Sequence, residues 1–336
     1  MADWNHAAAA ALPEMTALRR AIHAEPELGL HNPRTAEKII AALTGLPLEI
    51  RFGPSTSGIV ATLKGPANGR TVLLRGDTDA LPMPEETGLD FSSTIPGAMH
   101  ACGHGAHVAM LAGAARILCE RRDSLAGSVM FMFQPGEEGH HGARFMLDDG
   151  LLGSLPDAAF ALHIMPNAPW GVVGGRTGAL LASNDKLRIV ITGRGGHASM
   201  PHDALDPVPI ACEIALALQT FVTRQVSVFD PAVITIAQIV AGTTDNVIPE
   251  TALLYGTMRT LSAATRAKLH DGLPRLAQGI AAAHGASAAV EIIPGFAVTN
   301  CDGRAVALGE TVTKRLFGDE FWTTLANPIM GAEDFA

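Results

Sequence analysis

The sequence predicts an α/β protein whose first domain is interrupted by a separate α+β segment. Up to about residue 184, β-rich apolar runs alternate with helical patterns, which is typical of a sheet covered by helices. Several of these predicted strands end in acidic residues or histidine. After residue 184 the order becomes strand, helix, two strands, helix and strand. We therefore predict a first domain over 1–184 and 297–336, with an inserted domain over 185–296.

Composition restricts the class of protein. The 336 residues are 48% hydrophobic and 17% charged, which suffices for a sizeable core. A net charge of -9 without clustered Lys and Arg argues against nucleic-acid or membrane partners. We find no apolar run of roughly 18 residues and no positively charged leader. The 4 cysteines are widely spaced, as expected of reduced thiols, so we expect a cytoplasmic protein.

Each element of the first domain has a local signal. Helical spacing covers 12–24, and Asn32 followed by Pro33 predicts the N-cap and first position of a second helix. A third helical pattern follows residue 107. The predicted strands, rich in β-branched and aromatic residues, are 48–52, 58–63, 71–75, 127–133 and 157–164.

The inserted segment has signals of its own. Asp206 is expected to cap a helix over 206–224, and a second helix is predicted over 263–284. A glycine-rich loop before the first helix carries His197. The predicted strands are 186–192, 232–240, 251–259 and 288–293.

The strongest chemical signal lies in residues 99–107, which contain three histidines and one cysteine. Cys thiolate and neutral imidazole are preferred ligands of zinc-like divalent ions. Gly103 would let the backbone bend so that Cys102 and His104 point at one ion. A single His or Cys is more often a packed core residue. Their density just before a helix favours a metal site.

Acidic residues follow two of the strands. Asp77 and Asp79 come after strand 71–75, and Glu137 and Glu138 come after strand 127–133. Such acids also occur in Asx turns and solvated loops, which are the alternative interpretations. However, open α/β sheets place active sites at the carboxyl ends of their strands.

These residues together suffice for metal-assisted hydrolysis. His163 at the end of strand 157–164 completes the set. A free carboxylate at Glu137 beside metal-bound water would be a general base for cleaving an amide. Nitrogen, sulfur and oxygen donors for two divalent ions are available from Asp79, Cys102, His104, Glu138 and His163.

Seven motifs in the same order resemble the aminoacylase/carboxypeptidase-type metallohydrolases. The resemblance is greatest to hippurate hydrolase and the auxin-conjugate (indoleacetyl-amino acid) amidohydrolases. The motifs are RRxxHxxPEL at 19–28, GDTDALP at 76–82, HACGH at 100–104, QPGEEG at 134–139, GGHA at 195–198, NVIP at 246–249 and GAEDF at 331–335.

The resemblance implies a mixed-sheet catalytic domain with an inserted lid domain that forms a homodimer. It implies hydrolysis of the amide bond of a small N-acyl or N-aroyl amino acid. Two divalent ions per subunit, zinc, manganese, cobalt or nickel, are expected in a complete site. The positions that match family residues are the ligands Cys102, His104, Glu138 and His163, the base Glu137, the supporting acid Asp79, and the substrate and oxyanion residues His197, Asn246 and Arg259.

Two departures from the family pattern lead to further expectations. Gly105 stands where the family usually has Asp, so a carboxylate that orients a ligand imidazole is expected to be missing. Family members also continue beyond the last motif and supply another histidine ligand, whereas no histidine here follows His284. We therefore expect a truncated second part at 297–336, with one ion, weak binding of a second and poor turnover in this polypeptide.

Two other functions stay open at this stage. One is a catalytically impaired fragment or a binding protein of the same fold, which Gly105 favours. The other is a deacetylase of N-acetyl-diaminopimelate or another N-acetyl amino acid, which differs only in substrate. The intact Glu137–Glu138 pair favours an enzyme.

Overall fold

The structure is a computed structural model that describes residues 4–336. The chain divides into two compact units. Unit 1 comprises Met1–Gly174, Ala307–Thr323 and Phe335, and unit 2 comprises Gly175–Val306, Thr324–Asp334 and Ala336. Within the described part of the chain, no helix combines the length and apolar character needed to cross a membrane.

The elements follow the alternation that the sequence predicts. The helices are α1 Trp4–His23, α2 Pro33–Leu43, α3 His104–Glu120, α4 Gly142–Asp148, α5 Pro207–Gln225, α6 Ala263–Ala283 and α7 Gly303–Phe317. The strands are β1 Glu49–Phe52, β2 Ile59–Lys64, β3 Arg70–Asp77, β4 Gly127–Gln134, β5 Ala158–Ala161, β6 Val173–Gly175, β7 Gly178–Leu181, β8 Asp185–Thr192, β9 Gly196–His197, β10 Ala232–Ala241, β11 Val247–Ile248, β12 Thr251–Thr260, β13 Ser287–Ile293, β14 Thr299–Cys301 and β15 Trp322–Thr324.

Unit 1 is built on a five-stranded mixed sheet with the order β1-β2-β4-β3-β5. Strand β3 runs parallel to β4 and β5, whereas β1, β2 and β4 pair antiparallel. Phe131 and Phe133 of β4 pack with Ile22 and Ile39 of the helices α1 and α2. The intervening Met132 belongs to a second cluster with residues of α4. Because alternate residues of a strand point to opposite faces, both faces of this sheet are buried.

Helix α2 begins where the sequence predicts, but its cap is different. The Asn32 side chain does not cap it: Nδ2 donates to the Gly29 carbonyl at 3.2 Å, and Oδ1 accepts from the Thr78 hydroxyl at 2.8 Å. The Glu27 carboxylate accepts the backbone N–H of Thr35 at 2.8 Å instead. The predicted N-cap interaction of Asn32 is therefore wrong, because a buried acid from an earlier turn satisfies the helix terminus.

Strand β5 is shorter than predicted. Its pairing with β3 ends at Arg75 and Ala161, so His163 lies two residues beyond the strand. The chain leaves the sheet there because the polar groups of the Ile164 backbone bond to side chains rather than to a strand.

Unit 2 contains a four-stranded antiparallel sheet with the order β10-β12-β8-β13. Helices α5 and α6 pack on it through apolar residues such as Ile214 and Leu273, which are fully buried. The predicted cap of α5 is confirmed, since the Asp206 carboxylate accepts from the Val208 N–H at 2.9 Å. A small antiparallel pair, β9 with β11, places His197 opposite Val247.

Candidate metal centre

The carboxyl ends of β3 and β4 lie side by side in unit 1. Asp77 at the end of β3 is in register with Gln134 at the end of β4. The segments that follow these two strands carry Asp79 and the acidic pair Glu137–Glu138. The side chains predicted at strand ends therefore do meet, as expected for an open sheet with parallel strands.

Overlapping groups of donor atoms form at this edge, and two of them contain two or more of the predicted ligands. In each group, one ligand atom from every residue lies within 4.8 Å of the others. The Cys102 Sγ and His163 Nε2 atoms are 3.3 Å apart. His104 belongs to both groups. The groups are Cys102 with His104 and His163, and His104 with Glu137 and Glu138.

Gly103 allows the turn that this arrangement needs. Its φ of 94° lies in the left-handed region, where glycine has no Cβ penalty. A Cβ at this position would lie 2.3 Å from Cδ1 of Ile164. Cys102 and His104 can thus flank a tight turn against the segment that carries His163.

Each predicted ligand imidazole has one nitrogen committed to a carbonyl. His104 Nδ1 donates to the Asp79 carbonyl at 2.8 Å, and His163 Nδ1 donates to the Ile164 carbonyl at 2.7 Å. His104 Nε2 is buried and has no hydrogen-bond partner among the residues that the structure describes. A buried unsatisfied nitrogen is costly, and metal-bound histidines characteristically donate their other N–H in this way. These donors therefore fit a soft-to-borderline divalent ion.

The charges around His104 favour a cation. Burial alone lowers the pKa of this imidazole, but hydrogen bonds to Asp79 and Cys102 and the charge of Asp77 raise its pKa to about 12. Burial also raises the pKa of the Cys102 thiol and of the Glu138 carboxyl. The carboxylates of Asp77 and Asp79 thus stabilise positive charge at His104, whereas the raised pKa values of Cys102 and Glu138 favour the neutral forms of these two groups.

Asp79 supports the acidic pair. Its carboxylate accepts the backbone N–H of Glu137 at 2.9 Å and that of Glu138 at 3.0 Å. Asp79 belongs to none of the donor groups found among residues 4–336. Its position suits the supporting role that the motifs imply.

The ligand imidazoles are held without any side chain at Gly105. A Cβ at residue 105 would contact the Arg19 carbonyl and Ile22 of α1, each at 3.5 Å. A side chain there would start toward α1 rather than toward the imidazoles. The imidazoles of His104 and His163 are oriented by backbone carbonyls, which do not depend on residue 105.

The substrate residues predicted in unit 2 fall in two places. His197 and Asn246 are neighbours, since β9 pairs with β11 and the Ala198 N–H donates to the Asn246 carbonyl at 3.0 Å. Arg259 lies near the end of β12, opposite Val233 of β10. Its Nη1 is buried and unpartnered among the described residues.

Sequence reasoning missed the surroundings of Asp77. The sequence pattern gives Asp77 no specific role, and it assigns none to Arg75 or to His107 individually. Both contact the Asp77 carboxylate, at 2.7 and 2.6 Å. The available signal was spacing: His107 is one turn after His104 on the same helix, and Arg75 is two residues before Asp77 on one strand face.

The fold and the donor set define a metal-dependent hydrolase of amide bonds. Residues 73–336 match the model of peptidase family M20/M25/M40, and the chain belongs to this family. The resemblance drawn from the motifs and the mixed α/β fold are confirmed.

Three similar proteins show the range of this family. The N-acetylcysteine deacetylase of Bacillus subtilis is 39% identical over 320 residues, which cover 95% of this chain and 83% of the relative. The IAA-amino acid hydrolase ILR1-like 2 of Arabidopsis thaliana is 36% identical over 328 residues, which cover 96% of this chain and 73% of the relative. The solved structure of Bacillus subtilis YxeP, a dinuclear metal-binding peptidase of the M20 family, superposes with a TM-score of 0.84 at 36% identity, covering 97% of this chain and 85% of that one.

Proposed function

We propose that this protein hydrolyses the amide bond of N-acyl amino acids, with Glu137 as the general base. The observation that carries the proposal is the position of Glu137. Its side chain is only 7% exposed, and its carboxylate lies within 4.8 Å of the donor atoms of His104 and Glu138. A buried acid beside a metal-ligand set is suited to moving a proton rather than to solvation.

The ligand assignment rests on Cys102, His104, Glu138 and His163. These residues would hold divalent metal, one ion more tightly than the other, with zinc, manganese, cobalt and nickel as the candidates. When bound, such ions polarise a carbonyl and lower the pKa of water to near 7. The chain orients the ligands beforehand, because the Asp79 and Ile164 carbonyls accept from Nδ1 of the two imidazoles and leave Nε2 toward the donor set.

Glu137 would take a proton from the attacking water and return it to the leaving amine. Asp79 supports this role by holding the backbone of residues 137 and 138 through both carboxylate oxygens. Asp79 therefore fixes the backbone of this turn on both sides of the Glu137–Glu138 peptide.

His197 is suited to stabilise the oxyanion. The Ser199 N–H donates to His197 Nδ1 at 3.2 Å, so the neutral ring carries its proton on Nε2. An exposed Nε2–H is a donor for developing negative charge. The neighbouring Asn246 would assist, and Arg259 would bind the substrate carboxylate.

The substrate class rests on what the relatives share. One relative deacetylates N-acetylcysteine and the other hydrolyses indoleacetyl-amino acids, so the amino-acid part is common and the acyl group differs. Hippurate-like aroyl substrates and N-acetyl-diaminopimelate belong to the same chemical class. We also propose that unit 2 forms a homodimer. The cytoplasmic location stays a prediction from the sequence.

A substrate panel tests this function. The full-length protein would be stripped with a chelator, reloaded with each metal, and assayed with N-acetyl, N-benzoyl and indoleacetyl amino acids. We expect hydrolysis of at least one series, lost after chelation and restored by metal. Metal binding without turnover of any series would contradict the proposal and favour a binding protein.

A further inference from the structure

We propose that His107, held by Asp77, is a positioning residue that fixes the ligand imidazole of His163. This inference rests on the proposed function, because it concerns how the same site is built. His107 lies on α3 one turn after His104 and is 3% exposed. The link between the two imidazoles is a single peptide group, that of Ile164.

The Ile164 peptide is bonded at both ends. Its N–H donates to His107 Nε2 at 3.0 Å, and its carbonyl accepts from His163 Nδ1 at 2.7 Å. The same peptide therefore connects His107 to the predicted ligand. The two rings also meet edge to face, with centroids 4.7 Å apart.

These bonds fix the tautomer of His107. A backbone amide only donates, so Nε2 of His107 must be unprotonated. The proton is then on Nδ1, which donates to Asp77 Oδ1 at 2.6 Å. Both ring nitrogens are thus in use, in one defined orientation.

Asp77 is itself anchored in the sheet. Its side chain is fully buried and accepts from Arg75 Nη1 at 2.7 Å. Arg75 Nε in turn donates to the Gln134 side chain on the neighbouring strand at 2.8 Å. A continuous chain of hydrogen bonds therefore runs from the centre of the sheet to the Ile164 peptide.

His163 depends on such support because of where it lies. It follows the end of β5, and every residue from 161 to 170 is exposed. A ligand on such a segment has no ladder of strand hydrogen bonds to hold it. The bond from His107 supplies that restraint, as outer hydrogen bonds to ligands do in metal sites.

A direct ligand role for His107 is the competing interpretation. The donor atoms of Asp77, His104 and His107 also lie within 4.8 Å of one another. However, both nitrogens of His107 and both oxygens of Asp77 already have partners. A metal there would have to break two short buried bonds.

The test compares the full-length protein with three variants: His107→Phe, Asp77→Asn and His163→Ala. Affinity for cobalt(II) would be measured by competition with a chelator, and the visible absorption of the bound cobalt would report the coordination geometry. His31→Phe, at an exposed histidine, is the control. Thermal melts of the metal-free proteins would separate folding from metal binding.

We expect His163→Ala to lose one ion. His107→Phe should still bind the full number of ions at saturation. Its affinity for the ion that His163→Ala loses should be about 10–100-fold lower, because lost outer hydrogen bonds typically cost this much in affinity. The absorption spectrum of the bound cobalt should also change. Asp77→Asn should also lower the affinity for the same ion. If His107→Phe does not fold, Asp77→Asn decides, and an unchanged affinity and spectrum in it would overturn the inference.

Other outcomes separate this inference from the proposed function. Unchanged affinity and spectrum in a folded His107→Phe, with the ion lost in His163→Ala, would overturn the positioning role alone. Reduced stoichiometry of His107→Phe at saturation would make His107 a ligand and also overturn it. Full metal binding in His163→Ala would overturn the ligand assignment and the inference together.

Discussion

The predicted ligand imidazoles at this site each have one ring nitrogen that is not bonded to a carbonyl. His104 and His163 each commit one nitrogen to a carbonyl, so the remaining nitrogen of each can serve a metal. The sequence predicts these residues, because Cys and His flank a glycine before a helix. It could not predict their partners, since a backbone carbonyl has no sequence signal.

Arg259 is a residue whose hydrogen-bonding need is unmet. Its Nη1 is buried without a partner in the described part of the chain, and burial lowers the pKa of this guanidinium. We expect Arg259→Met to raise KM for N-acyl amino acids about 10–100-fold, since a charged hydrogen bond contributes about 1.5–3 kcal/mol.

Steady-state kinetics with each N-acyl amino acid and its carboxamide would check the role of Arg259. The carboxamide lacks the charge that Arg259 is proposed to bind, so its KM should change little. Arg188→Met is a matched control, because Arg188 lies on the same sheet and makes an exposed pair with Glu291. An equal increase in KM for the N-acyl amino acid and for its carboxamide would refute the proposal that Arg259 binds the carboxylate.

Among the elements, those with strong local patterns were predicted best. Buried strands such as β4 and capped helices such as α5 follow from apolar periodicity and an Asp-Pro start. The cap of α2 and the end of β5 do not follow from local patterns, because both depend on side chains that lie outside the element concerned. Glu27 replaces Asn32 in the first case, and His107 competes for the backbone in the second.

The start of β8 should make the stability of unit 2 depend on pH. Asp185 is fully buried there, and its carboxylate accepts from Arg266 at 2.5 Å, His270 at 2.8 Å and the Gly295 N–H at 2.9 Å. Burial alone would raise the pKa of Asp185, but these partners hold it below its ordinary value. An acid whose pKa is lower in the folded than in the unfolded state stabilises the folded state at pH values above the unfolded pKa of about 4. This stabilisation is lost as the pH falls through the folded pKa.

Asp185→Asn should therefore lower the free energy of unfolding by about 3 kcal/mol at pH 7, as expected when one partner of a buried ion pair is removed. The difference from the parent should shrink below pH 4. Urea unfolding between pH 3 and 7 would measure it. Asp271→Asn, at an exposed pair on α6, should have little effect. A difference that stays constant with pH would show that the charge of Asp185 is not the cause.

At the scale of the molecule, the predicted homodimer has a specific candidate surface. Strand β10 is an edge strand of 10 residues. Its residues Val233, Ile239 and Val240 are 45%, 48% and 54% exposed. A long apolar edge is a template for pairing with another chain. We expect a dimer by light scattering and a monomer after Ile239→Lys.

Ile293→Lys provides the control for the dimer prediction. Ile293 lies on β13, the opposite edge of the same sheet, and is 45% exposed. This variant should remain dimeric. A dimer that survives Ile239→Lys, or dissociates equally with Ile293→Lys, would rule out the β10 edge as the interface.

A shared active site would follow if His197 serves the partner subunit. Dimers that combine one His197→Ala subunit with one Glu137→Gln subunit should then regain part of the parent activity, because one site keeps both residues. Mixed dimers can be purified with two different affinity tags. Activity no higher than that of either variant alone would assign His197 to the site of its own subunit.

The whole-molecule prediction was strongest where many motifs agreed. Seven motifs over most of the chain predicted the family, which the match over residues 73–336 confirms. The acyl group, the metal and the assembly do not follow from these motifs. They depend on pocket shape, metal supply and surface contacts, which short sequence patterns do not encode.

The central claim is that Glu137 moves protons beside a metal set to which it does not belong. The most direct test measures metal content and kcat together for Glu137→Gln in the full-length, metal-loaded protein. We predict a metal-to-protein ratio equal to that of the parent and a kcat lower by about 10²–10⁴, the range for lost general acid–base catalysis. A variant that loses metal, or one that keeps both its metal and the parent kcat, would contradict the account.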